Sequence, residues 1–356
     1  MQPSPSNHSI RLTEYSSGAG CGCKIAPAVL ASILQTNQSN VFDPNLLVGN
    51  HSNDDAAVYD IGNGVATIST TDFFTPIVDD PFYFGKIAAA NAISDVYAMG
   101  GKPILSIAIL GWPVDKLPAS LAQQVLEGAR ASCAAAGISL AGGHSVDTAE
   151  PLFGLAVTGM VDIQHLKRNN TAQEGDLIFL TKPIGVGILS TAQKRGVLSA
   201  DASDTMIQQM SQLNNIGQQL GLIPGVTAMT DVTGFGLLGH LIEMTTGANL
   251  SAELYYAKIP VIESCKEYLA QRMVPDATYR NWNGYSEKVQ FEKGVNVMEA
   301  FNLLPDPQTN GGLLLTVSPS AAAAVIEILK QNGYGQFIEP IGKMLPLQPK
   351  TIEVKN

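Results

Sequence analysis

The chain has 356 residues, 45% of them hydrophobic and 15% charged, with a formal net charge of −10. That length predicts two domains, and the acidic balance excludes a protein that grips nucleic acid through a broad basic face. No apolar run reaches membrane-spanning length, the opening MQPSPSNHSI lacks the basic start and apolar core of a secretory signal, and four cysteines are too few for a disulfide scaffold, so the expectation is a cytoplasmic protein with no membrane and no direct nucleic-acid partner.

The first distinctive stretch is residues 15–24, YSSGAGCGCK. Three alternating glycines favour a loop, since glycine accepts positive φ and lets backbone pass close to a ligand. The loop carries two thiols, Cys21 and Cys23, and ends on Lys24. A cation beside a thiol favours the reactive thiolate. A short helix is predicted over 26–35 and a polar turn over 50–55, followed by strands over 56–61 and 65–71 joined at Gly62-Asn63-Gly64. A helix over 82–99 stops at Gly100-Gly101, a strand covers 103–110, and an alanine-rich helix covers 119–136. Strands over 138–141 and 152–161 complete a first domain at 51–162, preceded by an N-terminal segment, 1–50, that holds the glycine loop. Residues 162–174 read as a linker into a second domain at 173–356. There, strands are predicted at 176–181, 227–230, 250–254, 312–317 and 337–345. Helices are predicted at 187–195, 205–220, 236–246, 262–272 and 321–331, and 273–296 shows no clear period. The mixture is an α+β (α/β mixed) chain.

The chemistry concentrates on acids placed at element ends. Asn53, Asp54 and Asp55 precede a strand, Asp72 ends one, and Asp231 follows another. Such positions commonly carry ligand sites in α/β proteins. Asp95 lies inside the helix over 82–99, four residues after Asn91, so the two share a face of an otherwise apolar helix. They either meet a hard divalent cation through oxygen ligands or form the wet side of an amphipathic helix. The stretch AGGHSVD, 141–147, reads as a glycine turn after a strand, offering backbone amides to an anion, with His144 as a ligand, a proton carrier or a structural residue. A G-x-G-x-x-G occurs at 234–239, but polar Thr230, Asp231 and Thr233 separate it from its strand, which disfavours dinucleotide binding. No phosphate-loop motif of the G-x-x-x-x-G-K-[ST] type is present.

Taken in order, YSSGAGCGCK, GNHSNDDAAVYD, STTDFFTPIVDDPF, AANAISDVYAMGGKPILSIAILGWP, AGGHSVD, MTDVTGFGLLGH and DPQTNGG span 15–312. This series closely resembles the selenophosphate synthetases (selenide, water dikinases), a branch of the aminoimidazole-ribonucleotide-synthetase-like ATP enzymes. The family usually has serine where Asn310 stands. The resemblance implies a two-domain fold whose N-terminal domain forms a β-barrel across a homodimer. It implies synthesis of selenophosphate, AMP and phosphate from ATP, selenide and water, supplying selenium for selenocysteine and for selenouridine in tRNA. A selenium-delivery protein is the further partner it suggests. By motif, Cys21 is the catalytic thiol and Lys24 the catalytic, phosphate-binding lysine. Asp55, Asp95 and Asp231 match Mg2+ ligands, with Asp72 at the same site. Ser52, Asn53, Asp54, Asn91, Gly143, His144 and Ser145 match residues that hold ATP, together with Lys24, Asp72 and Asp95. Other superfamily kinases do not need the cysteine loop, a non-catalytic paralogue is expected to lose it, and a thiol metal module lacks a second ligand pair.

Overall fold

The computed structural model describes residues 10–23, 29, 32–33, 43–49 and 54–356. The helix expected over 26–35 and the turn over 50–55 therefore fall largely outside the described residues.

Two sheets divide the chain. The first has the order β1-β2-β3-β6-β4-β5, from β1 (Leu46–Val48), β2 (Ala57–Gly62), β3 (Val65–Phe74), β4 (Lys102–Trp112), β5 (Ser139–Asp147) and β6 (Leu152–Asp162). The hairpin between β2 and β3 turns where expected, with Asn63 at φ 58° between two left-handed glycines. β3 and β6 pair antiparallel from Val65↔Asp162 to Phe74↔Phe153, while β5 lies parallel to β4 at the sheet edge.

The helix α1 (Pro81–Ala98) forms where Asp80 caps it, accepting a hydrogen bond from Tyr83 N, and Pro81 occupies its first turn. It ends before Gly100, whose φ of 73° suits glycine. Fourteen of its 18 residues are buried, including Asn91, Ser94 and Asp95, which removes the wet-face reading of Asn91 and Asp95. Burial is nearly all round because α1 packs against sheet, helix and the second half of the chain together. It meets α2 (Ala119–Ala135) at very close range: a Cβ on Gly85 would lie 1.8 Å from Val125 O, and one on Gly128 would lie 1.8 Å from Phe82 O. From the second half, Asn214 Nδ2 donates to Ser94 Oγ at 2.8 Å.

The second sheet has the order β10-β13-β9-β12-β7-β11-β8, from β7 (Leu177–Leu180), β8 (Val226–Asp231), β9 (Ser251–Tyr255), β10 (Val289–Phe291), β11 (Leu313–Val317), β12 (Gly342–Leu345) and β13 (Ile352–Lys355). Its helices are α3 (Val186–Lys194), α4 (Ala200–Ser211), α5 (Ile216–Gly221), α6 (Gly236–Gly247), α7 (Cys265–Ala270), α8 (Asp276–Tyr285), α9 (Val297–Leu303) and α10 (Ala322–Gln331).

Several expectations require correction. The single helix expected over 205–220 is α4 and α5, because Gln212 turns extended and its carbonyl accepts from Lys182 Nζ at 2.8 Å and Asn310 Nδ2 at 2.9 Å. The turn expected over 141–147 is strand β5, whose Gly143 lets the backbone approach Ala108, a Cβ there lying 2.4 Å from Ala108 O. The strand over 337–345 shrinks to β12 behind a short 3-10 turn at Gly335–Phe337. The stretch without a clear period holds α8 and β10. Among the described residues, no helix is long and apolar enough to cross a membrane.

Candidate active site

Three carboxylates meet beside α1, which packs against β3, β4 and β6 of the first sheet and β8 of the second. Asp55 comes from just before β2, Asp95 from α1 and Asp231 from the end of β8, each offering an oxygen within 4.8 Å of the others. Asp95 and Asp231 are buried and Asp55 half-buried. Asp55 Oδ1 accepts from Thr230 Oγ1 at 2.7 Å, while its Oδ2 is buried without a hydrogen bond among the described residues. Thr70 Oγ1 donates to Asp95. Burial, then Asp231, Asp54 and Asp95, push the Asp55 carboxyl well above the usual carboxylate range. Anionic oxygens held this close without water repel one another, and an oxygen-seeking divalent cation suits that donor set.

Asp54 is turned aside. Its carboxylate accepts from the backbone N–H groups of Asn169 and Asp55, and burial raises it to about 6.

One helical turn before Asp95, Asn91 is fully buried and joins three segments. Its Oδ1 accepts from Cys21 Sγ at 3.4 Å and from Asn310 N at 2.7 Å, and its Nδ2 donates to Asp72 Oδ2 at 2.6 Å. Asp72 is thus outside the three-carboxylate group and lies instead beside Cys21, the two lining a cavity of about 210 Å³ with Gly20, Phe73, Phe74, Thr75 and Leu152. Cys21 sits in a 3-10 turn, Gly20–Cys23, with only 2% of its surface exposed. Its backbone N–H donates to Thr309 Oγ1 at 3.0 Å. Gly20 has φ 53°, and a Cβ there would lie 2.5 Å from Ile77 and 2.6 Å from Thr309 Oγ1, so the turn favours glycine.

The segment DPQTNGG supports this arrangement. Gln308 Oε1 accepts from the N–H groups of Gly185 and Val186, and Asp306 accepts from Gly187 N, so both cap the start of α3. Asn310 adopts φ 47°, where asparagine is better tolerated than serine, and its Nδ2 donates to Met210 O and Gln212 O.

Gly143, His144 and Ser145 lie on the exposed edge strand β5, not among the described groups that surround Cys21 or the three aspartates. Lys24, Ser52 and Asn53 lie outside the described residues. The glycines at 234–239 serve packing: a Cβ on Gly236 would lie 2.6 Å from the Pro305 carbonyl carbon, and one on Gly239 would strike Phe235 and Tyr285.

Sequence reasoning missed Lys182. It is buried after β7, donates to Gln212 O and Asn310 O, and is drawn down to about 7 by burial against the opposing pull of Asp231. It also missed Lys194, whose ammonium reaches the glycine loop. Neither has a signal in spacing, since both address backbone carbonyls.

Comparison with known proteins places this geometry. Residues 53–161 match the AIR synthase related protein, N-terminal domain, and residues 173–355 match its C-terminal domain. A relative named selenide, water dikinase from Haemophilus influenzae (strain 86-028NP) is 54% identical over 346 residues, 97% of this chain and 98% of the relative. One of the same name from Yersinia pseudotuberculosis serotype I (strain IP32953) is 57% identical over 335 residues, 94% of each. Among solved structures, a thiamine-monophosphate kinase from Stenotrophomonas maltophilia K279a matches with a TM-score of 0.62 at 18% identity, covering 93% of this chain and 96% of that one. The hydrogenase maturation protein HypE in complex with ATP matches with a TM-score of 0.62 at 19% identity, covering 94% and 89%. At such identities these two structures speak for the fold alone.

Proposed function

The chain belongs to the selenide, water dikinase family, and from that premise we propose that the three aspartates and the Cys21 loop form one site for ATP and selenide. The enzyme synthesises selenophosphate from selenide and ATP, with AMP and phosphate as the other products. The observation that carries the site assignment is the single helical turn separating Asn91, which touches the thiol, from Asp95, which joins the carboxylate group.

Asp55, Asp95 and Asp231 hold Mg2+, and the Oδ2 of Asp55, buried with no hydrogen bond among the described residues, supports that fit. Bound there, the cation supplies charge neutralisation for the phosphates of ATP. The chain's own residues position and shield. Thr70 and Thr230 fix the orientation of Asp95 and Asp55. Asn91 holds the Cys21 thiol beside Asp72, away from bulk water. Lys24, next to that turn in sequence, is assigned to a phosphate of ATP, and Ser52, Asn53 and Asp54 to the nucleotide. Gly143, His144 and Ser145 are assigned to ATP by motif alone.

Residues 51–162 and 173–356 are assigned as the two domains, with 1–50 as the segment that carries the catalytic loop. A homodimer joined through the first sheet accounts for its exposed apolar side chains, with Phe73 52%, Ile104 42%, Ile107 44% and Val146 53% exposed. A selenium-delivery protein is the further partner assigned.

The test is nucleotide analysis after incubation with ATP, Mg2+ and selenide. AMP and orthophosphate, formed only when selenide is present, are expected. Accumulation of ADP as the end product overturns the reading in favour of a simple kinase.

A further inference from the structure

The loop that carries Cys21 is held from the second half of the chain by two cations. Lys194, in the last turn of α3, donates from Nζ to three successive carbonyls, Ser16 O and Ser17 O at 3.0 Å and Gly18 O at 3.3 Å. An ammonium has three donors, and all three are committed to this one loop. At its other end, Arg280 on α8 donates from Nη2 to Gly22 O at 2.8 Å. Cys21 lies between the two anchors, and its turn is tied by Gly20 N to Thr75 O at 3.1 Å and Cys21 N to Thr309 Oγ1 at 3.0 Å.

Apolar packing of the loop is concentrated at the Gly20–Cys21 turn, where Cys21 joins the core beside Ile77, and the flanking Ser17–Ala19 is exposed or half-buried. A cavity of about 700 Å³ opens beneath the loop, bounded by Ser17, Gly18, Gly22, Lys194, Arg280 and Thr309. Alternating glycines give the segment high conformational freedom when released. A glycine-rich segment beside an open cavity, with apolar packing only at its central turn, depends strongly on its polar contacts to stay in place, and local openings draw on such regions.

We infer that Lys194 and Arg280 are positioning residues that clamp the Cys21 loop closed, keeping the thiol buried against Asn91. The catalytic consequence rests on Cys21 being the thiol of the reaction. The clamp itself does not, and the labelling experiment below separates the two.

The experiment uses the full-length chain with Cys23→Ser, so that iodoacetamide labelling in the glycine loop reports Cys21 alone, read by mass spectrometry. Lys194→Met removes the donors while keeping the alkyl stem, and Arg280→Gln tests the second anchor independently. Each is expected to label Cys21 about 10-fold faster than the parent, through more frequent local opening. The two together are expected to label faster still, and Lys194→Arg to stay near the parent. Cys133 and Cys265, both buried elsewhere, are expected to keep their slow rates. In kinetics, Lys194→Met is expected to lower selenide-dependent kcat with the KM for ATP little changed. Cys21 labelling within twofold of the parent in both single variants, or equal acceleration at Cys133 and Cys265, overturns the clamp. Accelerated labelling in a protein whose Cys21→Ser variant stays fully active leaves the clamp standing and removes its catalytic role.

Discussion

Asn91 and Cys21, 70 residues apart in sequence, meet side chain to side chain, with Sγ 3.4 Å from Oδ1. The same oxygen receives the backbone N–H of Asn310, so one amide connects the thiol loop, the DPQTNGG segment and, through Nδ2, Asp72. Asn91→Leu matches the side chain in size and removes all of these bonds. Leaving buried polar groups unsatisfied costs about 1–3 kcal/mol each, so a clear fall in the denaturant midpoint is expected. Selenide-dependent AMP release is expected to fall about 100-fold, the scale of a positioning error near reacting groups. Unfolding curves and initial rates check both, and a variant with wild-type rates removes Asn91 from the site.

The site was legible in sequence only in part, and the reasons are physical. Asp55 and Asp231 stand out as carboxylates at element ends, Asp95 as half of a polar pair with Asn91 inside an apolar helix, and the family resemblance joins the three as Mg2+ ligands. The burial of Asp95 is not readable from periodicity: α1 is covered by strands of both sheets and by α2, α4 and α5, so its alanine-rich surface shows no wet stripe. Only the start of β5 reads as a strand, over 138–141, because the glycines and polar residues that follow usually mark a turn. As an edge strand with mostly exposed side chains, it needs no alternation, and Gly143 is demanded by Ala108. Lys182 and Lys194 were invisible because they bind carbonyl oxygens, which every residue supplies. The split between α4 and α5 has the same origin, since it depends on Lys182 and Asn310 reaching the Gln212 carbonyl.

The aspartate group predicts opposite effects of one substitution on stability and activity. Asp95→Asn removes one of three crowded carboxylates. Like charges brought together without water disfavour the folded state, so in a chelator the variant is expected to unfold at a higher temperature than the wild type. Mg2+ is expected to stabilise the wild type by mass action and the variant far less. ATP turnover is expected to fall by on the order of 10³-fold or more, as several kcal/mol of charge neutralisation are lost. Thermal unfolding with and without Mg2+ checks this. An equal Mg2+ shift in both proteins excludes Asp95 as a ligand.

Asp306 predicts a pH dependence. It is fully buried, and burial raises it from 3.8 to about 8, against the lowering effect of Gln308 and of the Gly187 N–H. Between those values the folded state keeps a proton that the unfolded chain has released. Stability from this group is therefore fully present below about pH 4 and is lost as pH rises through 8. The slope in that window is at most about 1.4 kcal/mol per pH unit. Asp306→Asn, which cannot ionise, is expected to flatten the decline between pH 5 and 8 in chemical denaturation. An unchanged slope shows that the carboxyl stays ionised in the fold.

The two thiols of the glycine loop are expected to differ. Both flank Gly22, and proximity to Lys24 does not separate them. The fold does supply a difference for Cys21: its Sγ donates to Asn91, its N–H is tied to Thr309, and it shares a cavity with Asp72. Cys21→Ser retains a donor for Asn91, so the loop is expected to close as before and ATP to bind unchanged. Selenophosphate formation is nevertheless expected to be lost, because a serine hydroxyl is a far weaker acid and nucleophile than a thiol near neutral pH. Cys23→Ser is expected to retain activity. Selenide-dependent AMP release and ATP binding, measured on each variant, decide the matter. Equal loss in both points to a paired-thiol function, such as a redox couple. Full activity in Cys21→Ser reduces the loop to a lid whose cysteines take no part in the chemistry.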